Sequence, residues 1–409
     1  MTLSTERASM PAASLRRLTR VLHVYVFCGE FVLLYPLYAL FFQDTGLSVW
    51  QISSLFALWS GTVVVLEVPS GVWADAVSRR ASLVLGPLST AAGFASWVLV
   101  PSYGAFALGF VLWGVGGALC SGALQALVHD ELDHAGAADR YARVMGRARS
   151  VGLMAVMAAM ALAGPVFSWG GYPAVGAASV LVCLVGAAVA TLFPEHRRPS
   201  PEAARGWVGP LRAGFAEARS DRSVRAALLL VPAVGAIWGA LDEYTPLLAG
   251  ETGVAHADVP WVLLVVWAGA AVGGLLAGSA ERMGPKGLAG LLVGSALALA
   301  AGGAAGTPGA LVLVAVAFGG FQLAEVLADA RLQSRIEDTG RATLTSVAGL
   351  GTQVATLAVF AAYAATAATT GHGAAFAWAA LPYLLVALLP VVDARRDGPG
   401  RVGPDASAP

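Results

Sequence analysis

Charged residues are scarce in this sequence. Only 12% of the 409 residues are Asp, Glu, Lys or Arg, whereas roughly a quarter of the residues in a soluble domain are charged. Hydrophobic residues make up 57%, and the mean hydropathy is +0.71. Because a helix of about 20 apolar residues is long enough to span a bilayer core, this composition excludes an ordinary soluble protein and predicts an integral membrane protein.

Cysteines and nucleotide-binding motifs are also lacking. The three cysteines, Cys28, Cys120 and Cys183, lie in apolar runs, and their odd number argues against a disulfide framework or a metal site. No Gly-x-x-x-x-Gly-Lys-Ser/Thr motif is present, so the chain carries no P-loop ATPase of its own. With no Cys/His cluster and no nucleophile–base pair, we expect no enzyme, no cofactor, no metal and no nucleic-acid partner.

Long apolar runs fill most of the chain. Each is predicted to be helical, because an open strand cannot satisfy its backbone groups in lipid. The sequence therefore predicts an all-α membrane protein with 12 transmembrane helices. The expected spans cover about residues 21–42, 50–70, 81–101, 105–128, 147–168, 173–193, 226–248, 259–280, 287–306, 309–331, 343–369 and 373–392.

Basic residues occur on only one side of these spans. If the N-terminus lies inside, all 25 Lys and Arg fall in the tails and inner loops. The positive-inside rule then places both termini in the cytoplasm. The one long connection, 194–225, is rich in arginine and separates two six-helix halves at 21–193 and 226–392. Cytoplasmic tails at 1–20 and 393–409 complete the predicted organisation.

The two halves resemble degenerate copies of each other. The stretch Asp44 to Gly46 recurs 207 residues later as Glu251 to Gly253, and Gly71 recurs at the same separation as Gly278. These matches fall in corresponding loops. Secondary transporters are commonly built from such internal repeats, with the substrate site between them.

The turn after span 2 concentrates charge beside hydrocarbon, which is costly. It runs from Gly71 through Asp75 to Arg79 and Arg80. One interpretation is a loop that only fixes topology, and the other is a conformational latch between helices. We favour the latch, because every inner loop is basic and topology does not need this particular motif.

The spacing of this turn resembles the signature of the major facilitator superfamily, Gly-x-x-Ala/Ser-Asp-x-x-Gly-Arg-Arg/Lys. Ser78 stands where that signature has glycine, and the preceding Glu67 belongs to a Glu-x-Pro-Ser lead-in typical of exporter-like members. The resemblance implies two six-helix halves and secondary transport. It also implies that Asp75 faces the helix that begins near Arg341, that Arg79 pairs with Asp130, and that Gly71 allows spans 2 and 11 to approach closely.

Span 5 carries Gly164 and Pro165, which resemble part of a glycine- and proline-containing motif of exporters in that family. Met160 replaces the first glycine of the motif, and the spacing to the later glycines is longer. The resemblance implies proton antiport. The alternative interpretation is a proline kink near the outer end of the helix.

Acids inside the predicted spans are the main candidates for mechanism. Glu30 lies about 14 Å into span 1, with no Lys or Arg at that depth to neutralise it. An unpaired carboxylate in such surroundings favours its protonated form, so we expect Glu30 to couple protons or bind a cation. Asp242 and Glu243 occupy span 7. We favour Asp242 as the counterpart, although either of the two residues can face the cavity.

Two further acids, Glu325 and Asp329, share one face of span 10 because they lie four residues apart. Arg282 and Arg331 are their expected partners. We interpret this group as a second-half inner network rather than as a substrate site.

The function predicted from these patterns is proton-coupled efflux of small amphipathic or cationic compounds by alternating access. The alternatives are proton-coupled uptake of a neutral nutrient or metabolite and, from another class, a non-transporting membrane sensor. The expected partners are a small-molecule substrate, protons and the lipid bilayer. We expect a monomer in a bacterial plasma membrane, since Ala, Gly and Arg are abundant.

Overall fold

The computed structural model describes residues 12–196, 222–335 and 341–390, and in these ranges the regular elements are helical. The first seven α-helices, α1 to α7, are Ala12–Glu30, Tyr38–Asp44, Val49–Ala76, Arg79–Leu99, Tyr103–Cys120, Ala123–His134 and Tyr141–Ala190. The next eight, α8 to α15, are Arg222–Asp242, Thr245–Glu251, Val259–Ala280, Pro285–Ala304, Leu311–Arg335, Arg341–Thr370, His372–Ala379 and Leu381–Val386.

Nine helical stretches in the described ranges are long and apolar enough to cross a membrane. One of them, Ala138–Ala190, contains predicted span 5 and most of predicted span 6. Its backbone leaves helical geometry at Gly170 (φ −152°, ψ 18°) and Gly171 (φ 62°, ψ −157°). The turn between the two spans therefore lies at this glycine pair, whereas the backbone dihedral angles at Pro165 stay in the helical range.

Spans 1 and 7 are interrupted, whereas the sequence predicted continuous helices. The helix α1 ends at Glu30 and α2 begins at Tyr38, while α8 ends at Asp242 and α9 begins at Thr245. Hydropathy did not reveal the first break, because residues 31–37 are nearly all apolar.

Backbone groups in the first break find partners outside a regular helix. The N–H of Val32 donates to the carbonyl oxygen of Glu30 (3.0 Å). The N–H of Leu34 donates to the hydroxyl of the buried Ser179 (3.1 Å). Such partners are what allow non-helical backbone to exist within a membrane protein.

The short helices α2 and α9 reproduce the predicted repeat. Their first and last residues differ by 207 positions. Each helix is followed by a glycine with positive φ, Gly46 at 91° and Gly253 at 89°. A side chain is disfavoured in this backbone conformation, which explains glycine at both positions.

The acid that ends each short helix binds the turn before the last span of its half. Asp44 accepts a hydrogen bond from the hydroxyl of Tyr172 (2.6 Å). Glu251 accepts from the backbone N–H groups of His372 (2.5 Å) and Gly373 (3.1 Å). Tyr172 and His372 each follow a glycine with positive φ. The two halves therefore share this arrangement as well as a sequence pattern.

Two compact units can be separated in the chain. The first comprises Met1–Gly206 and Val254–Leu264. In it α4 packs against α5 and α7, α1 packs against α7, and α3 packs against α5. A Cβ atom built on Gly93 of α4 would lie 2.7 Å from the carbonyl oxygen of Gly109 of α5. Small residues therefore bring these two helices together, as is common in membranes.

The second unit comprises Trp207–Gly253 and Val265–Pro409. In its described part α12 packs against α11 and α8, α13 packs against α8, and α11 packs against α14. The aromatic side chains Phe318, Phe321, Tyr383 and Phe360 are among the largest fully buried groups of this unit. Three of these rings contact the interrupted span: Phe318 meets Trp238, Phe360 meets Tyr244, and Tyr383 binds the backbone of α8.

Candidate functional site

The charged turn at the start of α4 is held by a carboxylate. The hydroxyl of Ser78 accepts a hydrogen bond from the N–H of Ala81 (3.0 Å) and donates to Glu195 (2.7 Å). Glu195 also accepts from the backbone N–H groups of Arg79 (2.7 Å) and Arg80 (3.3 Å). A negative charge at this position interacts favourably with the positive end of the helix dipole, so Glu195 fixes the N-terminus of α4.

Arg79 forms an ion pair with Asp130, the partner expected for it. The side chains are 22% and 46% exposed. The side chains of Glu67 and Asp75 lie outside the described residues. The contacts expected of Gly71 and Asp75 with the helix that begins near residue 341 would join separate units, and they stay predictions.

Glu30 is the last residue of α1, and its side chain is exposed. A Cβ atom built on Gly152 of α7 would lie 3.3 Å from the Cγ atom of Glu30. The side chain of Glu30 therefore extends from α1 past Gly152, which has no side chain to block it. Exposure of such a carboxylate to lipid would be costly.

Asp242 is the last residue of α8, and Glu243 is the first residue of the break that follows. The indole of Trp267 in α10 lies close to the Asp242 carboxylate. Both side chains are partly exposed. Glu30 and Asp242 are each the last residue of the first helix of an interrupted span, although the breaks that follow them, at 31–37 and 243–244, differ in length. The partial negative charge at a helix C-terminus disfavours an anion there and favours a cation.

Glu325 contacts α8. Its carboxylate accepts a hydrogen bond from Nε1 of Trp238 (2.9 Å). A Cβ atom built on Gly235 would lie 2.8 Å from its Oε1 atom, so only glycine leaves room for the carboxylate at this turn. The ring of Phe318 meets the Trp238 ring edge to face, with a centroid distance of 5.6 Å. Glu325 is therefore a partly buried acid in aromatic surroundings.

The inner network expected around Glu325 differs from the observed contacts. Arg331 donates to the carbonyl oxygen of Met283 (2.7 Å). Arg282 and Asp329 are exposed, and no ion pair between Arg282 and either acid is present among the described residues. Spacing correctly placed Glu325 and Asp329 on one helix, but it did not show that the two side chains meet different surroundings.

A stack of three aromatic rings lies near the break in span 1. The ring of Tyr35 stacks on Trp113 (centroids 5.4 Å apart), and Trp113 stacks on Trp59 (5.1 Å). All three side chains are partly exposed. Such a stack offers flat π surfaces to an aromatic or cationic molecule.

At Gly164, the backbone of α7 lies very close to another segment of the chain. A Cβ atom built there would lie 2.1 Å from the carbonyl oxygen of Ala257. Ala257 belongs to the segment Val254–Leu264, which packs in the first unit. In the same segment, Nδ1 of His256 lies 3.3 Å from a carboxylate oxygen of Asp44. Gly164 is therefore required by packing, whereas Pro165 next to it is exposed.

A model of the Major Facilitator Superfamily matches residues 22–359 of the chain. The chain belongs to the Major Facilitator Superfamily. It is accordingly an integral membrane protein with the fold of that superfamily, as its signature turn predicted. No curated protein sequence matches it significantly.

Solved structures of superfamily transporters share the fold. The nucleoside transporter NupG is 14% identical, with a TM-score of 0.69, and the match covers 92% of this chain and 98% of that one. The POT family transporter PepTSo is 14% identical, with a TM-score of 0.70 and coverage of 93% and 98%. A D-xylose–proton symporter is 13% identical, with a TM-score of 0.68 and coverage of 93% and 97%.

The contacts of two residues in this superfamily member were not predicted from the sequence, because both residues fall in the predicted linker. Glu195 holds the start of α4, and the backbone N–H of His196 donates to the buried Glu131 (2.7 Å). An acid beside an otherwise arginine-rich stretch was the available signal. These contacts show that the first residues after span 6 belong to the folded unit.

Proposed function

We propose that this superfamily member is a secondary transporter that exports small amphipathic or cationic compounds in exchange for protons. The observation that carries the proposal is that Glu30 and Asp242 are each the last residue of a helix that stops within a span. Interrupted helices whose ends meet the transported ion are a common device of transporters. The proposed activity is transport, not catalysis.

Exchange of an organic cation for a proton follows because both compete for the same carboxylate. At a helix C-terminus, a bound proton or an organic cation relieves the unfavourable interaction of a carboxylate with the dipole. A carboxylate that has bound a proton has lost the charge that attracts the cation. Binding of one therefore excludes the other, and a site that alternates between the two sides of the membrane exchanges them.

Aromatic groups support a cationic or amphipathic substrate. Trp238 and Phe318 lie beside Glu325, and Tyr35 belongs to the aromatic stack of the first unit. Rings of this kind attract cations through their π faces. We include Glu325 with Glu30 and Asp242 as a group that carries a proton in the cycle.

We also propose that the turn at residues 71–80 is a conformational latch. The ion pair of Arg79 with Asp130 and the hold of Glu195 on α4 support a defined geometry for this turn. In the proposed latch, Asp75 contacts the second half in only one state of the transport cycle. The positive-inside pattern supports cytoplasmic termini, and the abundance of Ala, Gly and Arg supports a bacterial plasma membrane.

The test uses purified protein in liposomes that contain a pH-sensitive dye. Addition of lipophilic organic cations, such as ethidium and tetraphenylphosphonium, is expected to release protons from acid-loaded vesicles. Glu30→Gln and Asp242→Asn should abolish this release. Asp139→Asn, which changes an exposed acid outside the apolar spans, is the matched control.

Three outcomes would contradict the proposal in different ways. Cation movement that ignores the pH gradient would remove the coupling. Protons that enter together with a neutral sugar or nucleoside would indicate uptake by symport, the function named for one structural neighbour. Absence of any flux across the panel would favour a non-transporting sensor on the same scaffold.

A further inference from the structure

Tyr383 inserts its hydroxyl group into the backbone of α8. The hydroxyl donates to the carbonyl oxygen of Val234 (2.9 Å) and accepts from the N–H of Trp238 (2.9 Å). These are the two groups that bond directly to each other in a regular α-helix, in which the N–H of residue i pairs with the carbonyl of residue i−4. A side chain that enters this ladder is a recognised cause of helix bending.

The insertion lies next to a second weak point of the same helix. Pro232 has no N–H group, so it leaves the carbonyl one turn earlier without its usual donor. Two steps of the backbone ladder of α8, from residue 232 to 228 and from residue 238 to 234, are therefore modified. This part of α8 bends more easily than a helix with a complete ladder.

The backbone contact of Tyr383 leads directly to Glu325. Trp238, whose N–H the Tyr383 hydroxyl binds, donates its indole Nε1–H to the Glu325 carboxylate (2.9 Å). The aromatic ring of Tyr383 stacks on Phe321, with centroids 3.8 Å apart and planes inclined by 13°. Phe321 precedes Glu325 by one turn of α12. Tyr383, which is fully buried, thus contacts both helices that hold this acid in place.

We propose that Tyr383 is a positioning residue of the transport cycle, which couples the protonation of Glu325 to the bend in α8. While Glu325 is charged, its carboxylate accepts the hydrogen bond from the indole N–H of Trp238. The Tyr383 hydroxyl then stays inserted between the carbonyl oxygen of Val234 and the N–H of Trp238. When Glu325 takes up a proton from water, its hold on the indole weakens, because a neutral carboxyl group is a poorer acceptor. The turn then relaxes.

This inference rests on the proposed function, in which Glu325 carries a proton. It adds a residue that binds neither proton nor substrate and acts through Trp238. The groups that face Glu325 are Trp238 on α8 and, one turn away on its own helix, Asp329, whose charge also acts on Glu325.

The experiment measures amide hydrogen exchange of the whole protein in lipid nanodiscs, on the acid and the alkaline side of neutrality. Peptides that cover residues 230–242 report the turn in α8. After correction for intrinsic exchange rates, wild-type protection there should change by about threefold or more between the two conditions, because local opening sets protection. Glu325→Gln should remove this change. No substrate is needed.

Tyr383→Phe is the decisive variant, because it removes the hydroxyl and keeps the ring that stacks on Phe321. It should also remove the pH-dependent change in α8. Trp238→Phe should do the same, and the double variant should add nothing further. Tyr363→Phe is the matched control, since it deletes another buried hydroxyl of the same unit, bonded to Nδ1 of His372 (2.9 Å). It should leave the change in α8 intact.

These variants distinguish a failure of the proposed function from a failure of the role proposed for Tyr383. If Glu325→Gln keeps the pH-dependent change in α8, Glu325 is not the titrating group, and the role given to it in the proposed function fails. If Glu325→Gln removes the change but Tyr383→Phe keeps it, only the positioning role of Tyr383 is overturned. A uniform loss of protection in Tyr383→Phe, seen also in peptides of the first unit, would assign Tyr383 a purely structural role.

Discussion

Replacement of Glu195 by glutamine tests how the charged turn is held. Glu195 is partly buried and accepts hydrogen bonds from the Ser78 hydroxyl and from the backbone N–H groups of Arg79 and Arg80. Glutamine has nearly the same shape but carries no charge, and only one of its two terminal atoms accepts a hydrogen bond. The variant therefore loses one acceptor and the interaction of the carboxylate with the helix dipole.

The expected decrease in the free energy of unfolding follows from these two losses. A hydrogen bond to a charged group contributes about 1.5–3 kcal/mol, against about 1 kcal/mol for a neutral pair. A carboxylate near a helix N-terminus adds about 0.3–1 kcal/mol. Because Glu195 is partly exposed to water, we expect the lower end of the total, about 1–2 kcal/mol. For a unit of this size, such a loss lowers Tm by roughly 3–6 °C.

The assay is thermal unfolding of the detergent-solubilised protein, followed by intrinsic fluorescence. The matched control is Asp139→Asn, which neutralises an exposed acid on the same side of the first unit and should change stability by at most about 0.5 kcal/mol. Equal Tm values for the two variants would refute the reasoning, because the structure gives three hydrogen bonds to Glu195 and none to Asp139 among the described contacts.

Two glycine substitutions, each with a control on the same helix, test close contacts. Gly164→Ala should lower the yield of folded protein and transport, because its Cβ would lie 2.1 Å from a carbonyl oxygen, whereas Gly146→Ala meets nothing within 4 Å and should be neutral or stabilise by about 0.5 kcal/mol. Gly235→Ala should displace the Glu325 carboxylate and reduce proton release in liposomes, while Gly239→Ala, one turn further along α8 in open space, should keep wild-type flux. Equal behaviour within either pair would contradict the packing described for that glycine.

Hydropathy and charge predicted the membrane class. The spacing of the turn at residues 71–80 indicated the superfamily, and the resemblance to that superfamily implied the pairing of Arg79 with Asp130. Composition and local spacing can be read directly from the sequence. The repeat between the short stretches at 44–46 and 251–253 was also visible, because equivalent turns need a glycine at the same place.

The breaks in spans 1 and 7 were not visible in hydropathy, because residues 31–37 are nearly all apolar. Pro36 within this stretch and Pro246 just after the second break are the local signals for an interruption, since proline disfavours helical backbone in the residue before it. The hydroxyl of Ser179, 145 residues away, accepts a hydrogen bond from the N–H of Leu34, and this tertiary contact could not be read from the sequence. The surroundings of Glu325 were missed for the same reason. Its spacing from Asp329 is a property of one helix, whereas its contact with Trp238 depends on how two helices pack.

The short helices α2 and α9 have a mechanical consequence. Each is fastened at its far end, through Asp44 or Glu251, to the turn that precedes the last span of its half. Each is separated from the long helix before it by turn residues, 31–37 or 243–244, instead of by continuous helix. The long helix can thus tilt about this interruption while the seven-residue helix that follows it stays in place. In both halves, the acid that ends the long helix, Glu30 or Asp242, sits at the pivot, where a small rotation changes its surroundings without carrying it far.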